Sequence, residues 1–155
     1  MTDVEQTRAV ERCELPNENF HHLSHLHVAW VYLCESDSTD VAAEKMRATL
    51  RRFAAVQGQP HKYHDTITLF WVRLLGALRD RNSAETLDEV VHAHPELLEK
   101  NFPLSYYSPK RLFSDQARKS WVDPDLKPLP FDATSLRSSC SSGHASHWAL
   151  PQCVV

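Results

Sequence analysis

At 155 residues, with 42% hydrophobic and 24% charged side chains, the chain has the size and composition of one globular domain rather than two. Its formal charge is −3 and no Lys/Arg run exceeds two residues, so no basic stripe is present to neutralise a phosphate backbone and no nucleic-acid partner is expected. The opening MTDVEQTRAVERCELPNENF lacks the basic and apolar regions of a secretory signal, no apolar run reaches the roughly 18 residues of a membrane span, and Cys13, Cys34, Cys140 and Cys153 show no CxxC spacing. A cytoplasmic, non-membrane protein with free thiols is expected.

Residues 1–16 read as a polar lead-in. After Pro16, Asn17 or Asn19 can cap a helix running to about Glu35, in which Leu23, Leu26, Trp30 and Leu33 recur at three- and four-residue intervals. Thr39 caps a second helix with the stripe Met46, Leu50 and Phe53, closed by Gly58 and Pro60. The loop QPHKYHD leads into a third, whose broad apolar face of Ile67, Phe70, Trp71, Leu74, Leu75 and Leu78 marks it as central. Asn82 with Glu85 has capping-box spacing and opens a fourth helix through Leu87, Val90 and Val91, with Pro95 in the first turn of a short continuation. Two short helices can start at Ser108 and Ser114, and the three prolines of VDPDLKPLPF predict an extended strap. From residue 132 the chain is Ser-rich and reads as a flexible or loosely docked tail. The expected fold is all-α: a compact bundle of about four main helices, with short C-terminal helices and a proline-rich strap, forming one domain over residues 1–131.

Ten histidines is a high share for a chain of this length, and four of them fall in FHHLSHLH. At 100° per residue His22 and His25 share the inward face with Leu26, Ala29 and Leu33, His21 lies at the edge, and His27 points away. Imidazoles at i,i+3 or i,i+4 can converge on one ion, and His64, with Asp65 beside it, can approach from the start of the third helix. The expected metal ligands are therefore His22, His25 and His64, with His21 as an alternate, for Fe, Zn, Cu or Ni. Tyr63, Tyr106 and Tyr107 are candidate catalytic phenols, and Lys62, Arg73 and Trp30 candidate substrate contacts. His92 and His94 suit helix-end or surface roles, and His144 and His147 fall in the tail. No GxSxG, P-loop, GxGxxG or CxxC motif is present.

The runs FHHLSHLHVAWVYL, KYHDTIT and YYSPKRLFSDQARKSWVDPDLKPLP resemble a pattern in small, mostly uncharacterised bacterial proteins, spelled F-H-H-x-D-H-L-x-x-A-W, K-Y-H-x-T-x-T, Y-Y-S-P and P-D-L-x-P-L-P. The resemblance covers about residues 19 to 130 and implies that His21, His22, His25, Lys62, Tyr63, His64 and Thr66 belong together. Ser24 stands where the pattern has Asp, which leaves Asp65 as a possible replacement for that acid.

These features point to a small metal-dependent enzyme acting on a small organic molecule, with a lean to oxygen or redox chemistry over metal-assisted hydrolysis or elimination. The alternatives are a non-catalytic helical interaction module and a metal-free small-molecule binder with neutral histidines. A monomer or small homo-oligomer is expected.

Overall fold

The computed structural model describes residues 2–129 and 131, and the regular structure among them is entirely helical. Seven α-helices follow in chain order: α1 Asp3–Glu11, α2 His22–Glu35, α3 Thr39–Val56, α4 Asp65–Asn82, α5 Leu87–Ala93, α6 Pro109–Leu112 and α7 Asp115–Lys119. Single 3-10 turns lie at Asn17–Asn19, Pro60–Lys62, Pro95–Leu98 and Phe102–Ser105. This is the compact all-α fold read from the sequence, with α4 at its centre, packed on α2, α3 and α7. Among the described residues no helix is long and apolar enough to cross a membrane.

The polar lead-in contains a helix. Thr2 and Glu5 form a capping box, the Thr2 hydroxyl accepting from the Glu5 N–H at 3.1 Å and the Glu5 carboxylate from the Thr2 N–H at 2.7 Å. Helix α1 then buries Thr7, Ala9 and Val10 against the bundle. Tyr32 of α2 donates to Glu11 at 2.7 Å and meets the Thr49 hydroxyl of α3 at 2.7 Å, so one phenol joins three helices. Arg8 pairs with Glu35 at the other end of α2. This placement corrects the outward reading of His27, whose Nδ1 lies 2.9 Å from Asp3 Oδ1 in the α1–α2 seam.

The fourth helix also starts later than its spacing suggested. Asn82 belongs to the end of α4, and Ser83, with φ of 50°, takes the left-handed conformation that closes it. The cap of α5 is Thr86, whose hydroxyl accepts from the Glu89 N–H at 3.2 Å. At the other caps, Ser38, Ser108 and Ser114 each accept from a first-turn N–H of α3, α6 and α7.

After α7, residues 121–129 carry no regular element. Val122 and Leu129 are buried, Tyr107 donates its hydroxyl to the Val122 carbonyl at 2.8 Å, and the Leu126 N–H reaches the Tyr106 carbonyl at 2.9 Å. Cys13 and Cys34 are free thiols. Cys140, Cys153, His144 and His147, with the tail expected from residue 132, lie outside the described residues.

Gly76 sets how closely α4 approaches the start of α3. A β-carbon there would stand 2.5 Å from the Thr39 hydroxyl and 3.3 Å from a Leu33 methyl. Gly76→Val is expected to lower stability by about 2 kcal/mol, the scale of an overpacked core. Urea unfolding followed by circular dichroism would show the reduced midpoint, and adding Thr39→Ala should restore part of it. An unchanged midpoint in Gly76→Val would contradict the close approach.

Candidate functional site

The start of α2, the second half of α3, the start of α4 and the connector at 100–104 surround a cavity of about 620 Å³. That volume falls in the usual range of small-molecule sites. Phe20, Met46, Leu50, Phe53, Ile67 and Trp71 form its apolar wall. His21, His22, His25, Lys62, Tyr63 and His64 also line it, so six of the ten site residues singled out in the sequence come together in one place.

The other four lie elsewhere. Trp30 is buried, with the Arg79 guanidinium 6.0 Å from its ring. Tyr106 packs against Phe70 and Phe102, and Tyr107 is fully buried with its hydroxyl donating to the Val122 carbonyl. Arg73 stacks on Trp121 at 4.5 Å in a second cavity of about 450 Å³ that also contains Asp40 and Asp80. Sequence reading missed Lys100 and Asn101, in an irregular connector, and Leu104, in the 3-10 turn that follows it, where no periodicity advertises a direction.

Each inward histidine is oriented by a backbone carbonyl. His22 Nε2 lies 2.8 Å from the Leu97 carbonyl, His25 Nδ1 lies 2.9 Å from the His21 carbonyl, and His64 Nε2 lies 2.7 Å from the Leu112 carbonyl. A carbonyl only accepts, so in each ring that nitrogen carries the proton and the other keeps its lone pair. For His64 the lone pair is already used: Nδ1 accepts from the Ile67 N–H at 3.2 Å and caps α4. His22 Nδ1 and His25 Nε2 retain theirs. The His25 ring packs on Phe20 with centroids 4.2 Å apart, and the His22 ring on Trp71 at 4.7 Å.

Burial disfavours the charged form of all three rings. It brings His25 down to about 4, with neighbouring His22 adding to the shift. Burial likewise lowers His22, aided by Lys100, and His64, aided by Arg118. Burial and adjacent Asp65 push the Tyr63 phenol upward, which keeps it a proton donor.

Asp65 does not orient an imidazole. Its Oδ1 accepts from Tyr63 at 2.6 Å, Arg47 at 2.9 Å and Arg51 at 3.3 Å, behind the cavity wall. Ser24 accepts from the His21 N–H at 3.2 Å, the third-position half of a capping box, and an aspartate there would find the same backbone donor. Thr66 stands outside the cavity: its hydroxyl lies 2.7 Å from the Ala117 carbonyl and accepts from the Val122 N–H at 3.2 Å. With His64 engaged at both nitrogens, no group of three His, Cys, Asp or Glu able to hold a metal ion is assembled among the described residues.

No family model, curated protein or solved structure matches the chain.

The depressed histidines make stability depend on pH in a definite direction. Above about pH 7 these rings are neutral in both folded and unfolded chains and contribute no slope. As pH falls below about 6.5 the unfolded chain takes up protons that the folded one refuses, so stability declines toward the folded-state values. The urea midpoint is expected to stay level from pH 7 to 8.5 and fall between pH 6.5 and 5, with a shallower fall in His25→Gln. His64→Ala should lose about 1 kcal/mol or more through its missing cap, while His64→Asn recovers part of it. A rising midpoint toward pH 5 would contradict the neutral assignments.

Proposed function

We propose that the cavity between α2, α3 and α4 binds a small organic molecule with a mainly apolar body, which neutral His22 and His25 hold by accepting hydrogen bonds. The observation that carries this reading is that both imidazoles line a cavity of about 620 Å³ and each has one ring nitrogen without a hydrogen-bond partner among the described residues. In an apolar enclosure such an acceptor favours a ligand hydroxyl or N–H, because desolvating it without a partner would be costly. Phe20, Phe53 and Trp71 supply flat surface for the apolar body.

A metal-dependent enzyme is the second reading, favoured by those same two lone pairs lying on successive turns with His21 beside them. His22 and His25 would hold Fe, Zn, Cu or Ni, with His21 as the third donor. His64 could join only by giving up the cap of α4. The metal would supply Lewis-acid or redox chemistry to a small substrate, and Tyr63 would line that pocket.

Elemental analysis of protein purified without an affinity tag separates the two. The binding reading expects no near-stoichiometric transition metal, and it expects His25→Phe to weaken ligands that carry a hydroxyl or N–H about tenfold more than isosteres lacking one. Near-stoichiometric metal that disappears in His25→Ala would overturn it in favour of the metalloenzyme.

A further inference from the structure

The distribution of charge around the cavity narrows the ligand class. The chain has 20 acidic residues and a net charge of −3, yet none of the 22 described residues lining the cavity is Asp or Glu. Two of them are lysines, Lys62 from the 3-10 turn before α4 and Lys100 from the connector after Leu97. They arrive from separate segments, and both are exposed, which places their ammonium groups at the mouth rather than in the apolar interior. Neither forms a salt bridge among the described residues.

Glu99, beside Lys100, opposes that lysine's effect on His22 but does not line the cavity, and the carboxylate behind the wall is itself neutralised. Asp65 sits behind Tyr63 and is fully buried between Arg47 and Arg51. His22, His25 and His64 add no positive charge, since burial disfavours their charged forms. The cavity therefore combines an apolar interior, neutral acceptors in its wall and fixed positive charge at its rim. Long-range attraction of this kind selects by sign as well as by fit.

Resting on the reading of the cavity as a small-molecule site, we infer that its ligand is an amphipathic organic acid. The apolar body packs against Phe20, Phe53 and Trp71, and the carboxylate stays at the mouth with Lys62 and Lys100. A hydroxyl or N–H on the body would meet His22 or His25.

A matched pair of fluorescent probes tests the assignment: 1-anilinonaphthalene-8-sulfonate, which is anionic, and N-phenyl-1-naphthylamine, its neutral counterpart. Both brighten when buried, so their affinities for the full chain can be compared at low and moderate salt. The anion is expected to bind more tightly, with an advantage that shrinks as salt rises. Lys62→Met with Lys100→Met keeps the aliphatic stems and should weaken the anion about tenfold, the sum expected from two partly exposed charge contacts, while leaving the neutral probe unchanged. Lys110→Met, on α6 and outside the cavity lining, should change neither.

If both probes bind the wild-type chain equally, or the double variant leaves the anion's affinity intact, the charge assignment is overturned while the cavity reading stands. A double variant that weakens both probes alike would assign the lysines to packing and overturn it too. If neither probe binds, the cavity reading itself falls.

Discussion

Three consecutive residues at the start of α4 must be desolvated together, and the segments packed around them supply hydrogen-bond partners to each, although Asp65 Oδ2 has none among the described residues. His64, Asp65 and Thr66 are all buried, with Asp65 and Thr66 fully so. Buried polar groups are costly without partners, and these partners come from five places in the chain. His64 is held by the Leu112 carbonyl at the end of α6, Asp65 by Arg47 and Arg51 of α3 and Tyr63 of the preceding turn, and Thr66 by Ala117 of α7 and by Val122 beyond it. The short helices α6 and α7, with four and five residues, are too brief to persist on propensity alone. Their carbonyls receive side-chain hydrogen bonds from α4, which explains why such short pieces are placed where they are.

The same constraint shapes the cavity. Tyr63 faces it with its ring while its hydroxyl is committed to Asp65, so the buried carboxylate is separated from the cavity by a phenol and paired with two guanidinium groups. On the opposite wall, the capped first turn of α2 presents His22 and His25 toward α3 and α4. Both walls are thus helix starts, fixed by hydrogen bonds independent of any ligand.

Much of this arrangement was legible because it follows helical periodicity. Met46, Leu50 and Phe53, or Phe70, Trp71, Leu74 and Leu78, announce their burial by spacing, and the inward pairing of His22 with His25 follows from the same geometry. Helix α1 was harder to read because DVEQTRAVE has few apolar residues, although the Thr2–Glu5 capping spacing marked its beginning. At α5 the sequence reading took Asn82 with Glu85 as the cap, whereas Thr86 caps the helix because Ser83 turns the chain out of α4 only after Asn82. Periodicity was silent on the connector carrying Lys100. It also gave no means of distinguishing Tyr63, at a cavity, from Tyr106 and Tyr107, whose 3-10 turn directs them into the aromatic core. The dual engagement of His64 depended on Leu112, 48 residues away, a contact that local sequence does not encode.

All three inward imidazoles take their orientation from main-chain oxygens, at positions 21, 97 and 112. Where side chains orient a histidine, the orienting group has its own codon and can be lost by a single exchange. Here it is carried by the path of the chain. Residues 97 and 112 are leucines that supply their oxygens whatever their side chains, so far as these bonds are concerned, and position 21 can change without removing the acceptor that holds His25. Sequence drift at these three sites would leave the tautomers unaltered as long as the backbone keeps its course, whereas an insertion or deletion that shifts the register of the connector would release His22 even with every histidine retained. The chemistry of the pocket is therefore more vulnerable to changes in loop length than to substitution at the residues that orient it.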